Sequence, residues 1–258
     1  MSESIYEPML RDMTWSYSRV KTYENCPHKF YLRYILEREP SRAFFAEYGT
    51  FMHSLFERYY TGRLKRKDMP SEYLSNFSDE VPSKAMSGKI FKSYFSDGIK
   101  CLREFVPIEG GIVKAEGKIN GDIDGIPFVG IVDLTVDDGE ELMIVDHKSR
   151  AVKPRSKRAT PTKNDQDLDE LFTQLYLYVP LVEKRYGRRP AWLAINSFRT
   201  GTLIKERFDE GKYEEAKKWF RDSVAKITAE EEFDPEPEYF KCRNLCEMCE
   251  HCEYAKYI

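Results

Sequence analysis

Residues 130–148 read Gly130-Ile-Val-Asp-Leu-Thr-Val-Asp-Asp-Gly-Glu-Glu-Leu-Met-Ile-Val-Asp-His-Lys148, and this stretch decides the fold. Two alternating apolar runs, at 127–136 and 141–148, flank Asp137-Asp138-Gly139, a turn in which glycine tolerates the positive φ that a tight hairpin requires. The runs therefore pair as neighbouring strands. Side chains two apart on a strand share a face, so Asp146 and Lys148 point one way and His147 the other, while Asp133 on the partner strand can join the first pair. Two carboxylates and one ammonium amid apolar sequence make a poor hydrophobic core and suit a divalent cation with a positive group beside it. Asp137, Asp138, Glu140 and Glu141 read as solvated turn residues.

The surrounding chain bounds what this hairpin can belong to. With 258 residues and 41% hydrophobic content it can bury a substantial core, and one domain with peripheral helices and loops is the expectation. Charged residues make up 33% and the net charge is −3, so affinity for a polyanion has to come from local patches. No run has the length of a membrane-spanning helix, and the first residues lack the basic and apolar regions of a signal peptide, so a cytoplasmic location away from membranes is expected. Of six cysteines, Cys242, Cys246, Cys249 and Cys252 crowd together near the C-terminus, with Cys26 and Cys101 far upstream. In a reducing compartment such a cluster points to a metal site rather than disulfides.

Periodicity places the other elements. Apolar residues from Ser18 to Leu36 recur near the helical period, with Ser16 or Ser18 as cap and Pro27 as a break. A helix at 47–60 puts Gly49, His53 and Tyr60 along one face, 64–88 reads as a loop interrupted by Pro70, Pro82 and Gly88, and a third helix spans 89–105. Strands follow at 112–118 and in the hairpin, then a mobile basic loop at 149–162 carrying Arg150, Lys153, Arg155, Lys157 and Arg158 with no acidic residue. A helix at 167–186, a strand at 192–198, a helix at 213–229 and the cysteine-rich tail complete the chain. Helices, three strands, helix, strand and helix in that order imply an α/β fold with a mixed sheet covered by helices.

Taken together, Gly130-Ile-Val-Asp133, Ile144-Val-Asp146-His-Lys148 and Gln174-Leu-Tyr-Leu-Tyr178 resemble the core of the PD-(D/E)xK nuclease superfamily in its RecB-like branch. Gly49-Thr-Phe-Met-His53 resembles that branch's first motif, and Tyr17 to Pro27 its N-terminal helix, so the likeness spans nearly the whole chain. It resembles in particular CRISPR-associated adaptation nucleases and phage-encoded exonucleases of the branch. The resemblance implies a restriction-endonuclease-like core within one domain over 1–258, helical to 110, catalytic sheet over 111–200, and a C-terminal helix with a metal-cluster segment over 201–258. It assigns Asp133, Asp146 and His53 as ligands of Mg²⁺ or Mn²⁺, Lys148 to the attacking water and the phosphate charge, and Gln174 and Tyr178 to DNA handling at the catalytic centre. Those roles are chemically sound, since phosphodiester hydrolysis needs an activated water and neutralised phosphate charge, and an imidazole favours tolerance of Mn²⁺. Glu116 on the preceding strand is a candidate second-metal or supporting acid, and Val132-Asp133 stands where the superfamily nominally has Pro-Asp.

Some members of the branch carry a [4Fe–4S] cluster on one N-terminal and three C-terminal cysteines. Here Cys26, Cys246, Cys249 and Cys252 fill that set, with Cys242 the alternative to Cys246 because Ile258 stands at the usual last cysteine. Thiolates suit zinc equally, so a local Zn²⁺ site on Cys242, Cys246, Cys249 and Cys252, with His251 in reserve, is the competing expectation. Cys101 reads as packing. The basic loop leaves the Lys148 strand directly and can hold the phosphate backbone, while Trp15, Tyr59 and Tyr60 are candidates to stack on bases. The reading is a metal-dependent exonuclease acting on DNA ends or single strands, with recombination, replication or CRISPR proteins as partners. Its rivals are a catalytically inactive DNA-binding or docking module of the same fold, and a zinc-binding adaptor.

Overall fold

The computed structural model describes residues 4–257, apart from the side chains of 112–114, 116, 256 and 257. Along the chain run α1 (Glu7–Arg11), α2 (Tyr17–Asn25), α3 (Pro27–Phe30) continuing into a π-helical turn (Tyr31–Ile35), α4 (Phe44–Tyr60), α5 (Met69–Glu80), α6 (Gly88–Glu104), β1 (Gly111–Ile123), β2 (Ile126–Asp137), β3 (Leu142–Lys148), α7 (Lys163–Tyr186), β4 (Trp192–Ser197), β5 (Thr202–Arg207), α8 (Glu210–Thr228) and α9 (Tyr239–Asn244). Two compact units result, one from Met1–Ala43, Gly121–Val129 and Lys217–Ile258, the other from Phe44–Asn120 and Gly130–Ala216.

The sheet order is β1-β2-β3-β4-β5, with β2 and β3 antiparallel, β3 and β4 parallel, and β4 and β5 antiparallel. It is the mixed α/β sheet expected. The parallel step follows from connectivity, because α7 carries the chain back before β4 begins. The opening hairpin closes through Gly139 at φ 97°, and its rungs run from Asp137↔Leu142 to Leu134↔Val145. Thr162 caps α7 by accepting from the Asp165 amide while Asp165 answers the Thr162 amide, and Gly187 at φ 70° ends it.

In the second unit, Phe44, Tyr48, Phe51, Met52, Leu55 and Phe56 of α4 pack with Met69, Tyr73 and Phe77 of α5 and with Leu102 and Phe105. The segment expected to be a loop at 64–88 therefore contains a helix. Pro70 lies in the first turn of α5, where a missing amide costs nothing, and Met69, Tyr73 and Phe77 make one apolar stripe at helical spacing. β5 is a further element that the periodicity reading passed over, because Thr202, Ile204 and Glu206 alternate with Leu203, Lys205 and Arg207 too weakly to stand out from a loop. β1 also extends five residues past the expected end at 118, up to the Asp124-Gly125 turn, in which both residues have positive φ.

The first unit has its own aromatic core. Trp15 stacks on Phe30, Phe30 on Phe233, and Phe128 meets Phe220 edge-on. Trp15 also bridges to Phe128, donating to Pro127 O at 2.8 Å and accepting from the Val129 amide at 2.8 Å. Ser16 caps α2, and α2 ends at Cys26 ahead of Pro27, the break the sequence implies.

Gly130 matters for a steric reason. A Cβ there would sit 2.7 Å from Tyr178 Cδ1 and 3.0 Å from Leu181 Cδ1, so the tyrosine ring lies against bare backbone. Gly130→Ala is expected to cost about 1–3 kcal/mol through overpacking, read as a lower urea midpoint. Unchanged stability would show that Tyr178 is not seated on β2.

Candidate active site

His53 on α4, Asp133 on β2, Asp146 and Lys148 on β3, and Gln174 and Tyr178 on α7 come together in the second unit. Asp133 and Asp146 are 9% and 4% exposed, so both carboxylates are largely removed from water. Lys148 Nζ sits 2.8 Å from Asp146 Oδ2 and donates to Gln174 Oε1 at 3.0 Å. Gln174 Nε2 in turn donates to the Tyr178 hydroxyl at 2.8 Å, so the two α7 residues spaced four apart do share a face and together orient the ammonium. On the other flank, His53 Nδ1 is 3.5 Å from Asp133 Oδ1. Asp133 Oδ2 accepts the His147 amide at 2.6 Å, one rung beyond the last paired residues of the hairpin ladder. At the site the ladder thus gives way to a side-chain bond.

The electrostatics follow from this packing. Burial pushes Asp146 up to about 6, with the charge of Asp133 adding to it and Lys148 opposing. Burial acts the same way on Asp133, yet the hydrogen bond and charge of His53, with His147 behind it, hold that carboxyl below the ordinary range. His147 is fully enclosed and burial lowers it to about 4, so it is neutral near pH 7. Burial raises the Tyr178 hydroxyl beyond ordinary titration. Two adjacent acids with opposed shifts are a common feature of functional sites.

Sequence reasoning passed over three contributors. The His147 amide fixes Asp133, although the side chain was read only as facing away. Asn196 on β4 holds the His147 ring, and Ser197, wholly buried, ties the chain beyond Lys148 by donating to Arg150 O at 2.8 Å and accepting from the Val152 amide at 3.3 Å. Only the parallel register His147↔Asn196 and Lys148↔Ser197 brings these residues in, and no local motif encodes it. Glu116 lies outside the residues whose side chains are described.

The basic loop departs from expectation. Arg155 is bound to Glu206 and Asp169, and Ser156 binds Asp165 through both amide and hydroxyl, so the segment is tethered rather than mobile. Arg150, Lys153, Lys157 and Arg158 remain exposed. The aromatic candidates are also corrected. Trp15 is 1% exposed in the first unit's core, and Tyr59 and Tyr60 pack on the second unit's core, where the Tyr60 hydroxyl accepts the Ile108 amide.

In the first unit, Cys26, Cys242, Cys246, Cys249 and Cys252 line a single cavity of about 290 Å³. The Cys249 amide donates to Cys246 O and the Cys252 amide to Cys249 O, so these three cysteines follow one tight winding at three-residue spacing, which sets their side chains on one side. Burial raises the Cys246 and Cys249 thiols. His251 Nε2 lies 2.9 Å from Glu39 O and so holds the tail to the chain. Cys101, on α6 of the second unit, packs against the core there, and burial pushes its thiol up to about 12. Among the described residues no group of three or more His, Cys, Asp or Glu side chains closes to metal-holding geometry, and no helix is long and apolar enough to cross a membrane.

The raised Asp146 carboxyl has a measurable consequence. Its folded value of about 6 exceeds the ordinary 3.8, so its ionised form weakens the fold above about 6, and that penalty disappears as pH falls towards 3.8. Metal-free Asp146→Asn is therefore expected to be more stable than the parent at neutral pH by on the order of 1–3 kcal/mol, with the gap in melting temperature closing on acidification. Equal melting at both ends of that range would contradict the burial of a charged Asp146.

Comparison with known proteins agrees with this architecture. The family model of the PD-(D/E)XK nuclease superfamily matches residues 14–257. No curated protein matches the chain. Among solved structures, the crystal structure of a "Putative exonuclease" from Eubacterium rectale is similar in fold, with a TM-score of 0.54 and 16% identity over 97% of this chain and 92% of that one. The crystal structure of SSO0001 aligns with a TM-score of 0.33 and 14% identity over 74% of this chain and 81% of that one, too loosely to carry an argument. With nearly its whole length matched by the family model, the chain belongs to the PD-(D/E)XK nuclease superfamily.

Proposed function

We propose that the protein is a divalent-metal-dependent deoxyribonuclease, an exonuclease that acts on DNA ends or single strands, with 1–258 working as one nuclease domain. The observation that carries the reading is the convergence of Asp133, Asp146 and Lys148 with His53 on one side and Gln174 and Tyr178 on the other. Two enclosed carboxylates beside one imidazole are a hard donor set suited to Mg²⁺ or Mn²⁺, and burying both without a cation costs stability, as the raised Asp146 carboxyl reflects. Asp133, Asp146 and His53 would hold the ion. When bound, it supplies a more acidic water and charge neutralisation at the phosphate.

This chain's own residues do the rest. Lys148 is held at a defined point between Asp146 and Gln174, so its ammonium can face the charge that develops on the phosphate without first reorganising. Gln174 and Tyr178 keep that ammonium from following Asp146 alone. Exposed Arg150, Lys153, Lys157 and Arg158 leave the same strand and offer sequence-independent, salt-sensitive contacts to the backbone of the substrate. End-labelled single- and double-stranded DNA with Mg²⁺ or Mn²⁺ tests the reading. The parent is expected to shorten these substrates, Asp146→Ala to be inactive, and Lys148→Ala to be slower by about 10²–10³-fold. DNA binding without metal-dependent cleavage would instead establish the inactive-module reading.

For the first unit, the proposed group is a [4Fe–4S] cluster on Cys26, Cys246, Cys249 and Cys252. Supporting it are the shared cavity and the common winding of the last three cysteines. Because Cys242 lines the same cavity, a zinc site on Cys242, Cys246, Cys249 and Cys252 is the second reading. Protein purified without oxygen is expected to be brown, with iron and acid-labile sulfide, and Cys26→Ser to lose both. A colourless protein with stoichiometric zinc that survives Cys26→Ser would establish zinc.

A further inference from the structure

His147 stands between Asp146 and Lys148 on the chain, yet its ring has no place in the chemistry above. The ring is 3% exposed, tilted against Phe56 at 5.3 Å, stacked on Tyr60 at 6.2 Å and edge-on to His53 at 6.0 Å. Asn196 Nδ2 donates to its Nδ1 at 3.0 Å, which leaves the proton of the neutral ring on Nε2. That Nε2 is buried and has no hydrogen-bond partner among the described residues. A phenylalanine of similar shape would fill the same aromatic slot without an unpartnered polar atom, so the imidazole is held here at a cost to stability. Asn196 is its one described hydrogen-bond partner through the side chain. Asn196 also lines a 680 Å³ cavity with Phe105, Ile108 and Arg199, where water can satisfy its remaining polar atoms.

The effect of this bond passes along the backbone. His147 and Asn196 are register partners across the parallel β3–β4 pair, so the side-chain bond reinforces the rung at that residue. The amide of the same residue donates to Asp133 Oδ2 at 2.6 Å, where hairpin pairing has already ended at Leu134↔Val145. With Oδ2 held by this amide and Oδ1 turned to His53, the orientation of the Asp133 carboxylate is set by where residue 147 is fixed. We propose that His147 and Asn196 are positioning residues, clamping residue 147 to β4 so that its amide aims the Asp133 carboxylate at the cation. This rests on the reading of Asp133 as a metal ligand given above.

The parent, His147→Phe, Asn196→Leu and the double variant separate positioning from packing by three measurements: hydrogen exchange of the residue-147 amide without metal, Mn²⁺ titration without nucleic acid, and melting. Asn196→Leu is expected to speed exchange at residue 147 by about tenfold relative to Ile144 in the same strand. Both single variants are expected to weaken Mn²⁺ binding by about 10–100-fold, as loss of support behind a ligand does, while melting stays near the parent or rises in the double variant. If exchange at residue 147 keeps pace with Ile144 in both variants, the proposal is overturned. A parent that binds Mn²⁺ with unchanged variant affinities overturns it alone, whereas a parent that binds no Mn²⁺ overturns the ligand reading and the proposal together.

Discussion

Asp146 and Asp133 are held out of water on adjacent strands with a single ammonium, Lys148, in contact with one of them. An arrangement of that kind has little to recommend it as a core, since removing carboxylates from water costs several kcal/mol each. The rest of the second unit can be understood as the means of sustaining it. Hairpin pairing ends at Leu134↔Val145, which frees the Asp133 carboxylate to take an amide that a ladder would have used. The parallel crossover brings α7 back with Gln174 and Tyr178 towards Lys148, and bare Gly130 lets the Tyr178 ring come down on β2. Asp133 and Asp146 consequently shift in opposite directions despite similar burial, because His53 bonds Asp133 directly with His147 behind it, whereas at Asp146 burial and the charge of Asp133 outweigh Lys148 and the more distant charge of His53.

The parts legible in the sequence are those with a local cause. A Gly139 turn between alternating runs, the Ser16 cap and the Cys26-Pro27 break need no knowledge of distant residues. The i, i+4 spacing of Gln174 and Tyr178 likewise fixes a shared face once α7 is recognised. What escaped was of another kind. Pro70 looked like a breaker although the first turn of a helix accommodates it, and β5 takes its strand character from pairing with β4 rather than from its own pattern. Asn196 and Ser197 entered the site only through register with β3, some fifty residues away in sequence. Trp15 looked available for stacking because an aromatic residue near an end gives no hint of the Phe30 and Phe128 that enclose it.

Charge in the loop after Lys148 illustrates the same limit. Five basic residues without an acid suggested a free cationic arm, yet Glu206 on β5 and Asp169 on α7 claim Arg155, and Asp165 claims Ser156. The loop is thereby fixed at its middle while its remaining cations stay in solvent. In the first unit the distant Cys26 shares a cavity with four cysteines of the tail, so residues from both ends of the chain meet in one compact unit around thiols. Five thiols where four would serve is why composition alone does not separate the proposed iron–sulfur set from the proposed zinc set.

Central to the whole account is that Asp133, Asp146 and His53 form a cation site rather than an incidental cluster of polar groups. Anomalous diffraction from crystals grown with Mn²⁺ tests this most directly. The account predicts a manganese peak bounded by those three side chains. A map with manganese bound only elsewhere, or with none and the Lys148–Asp146 contact unchanged, would contradict it.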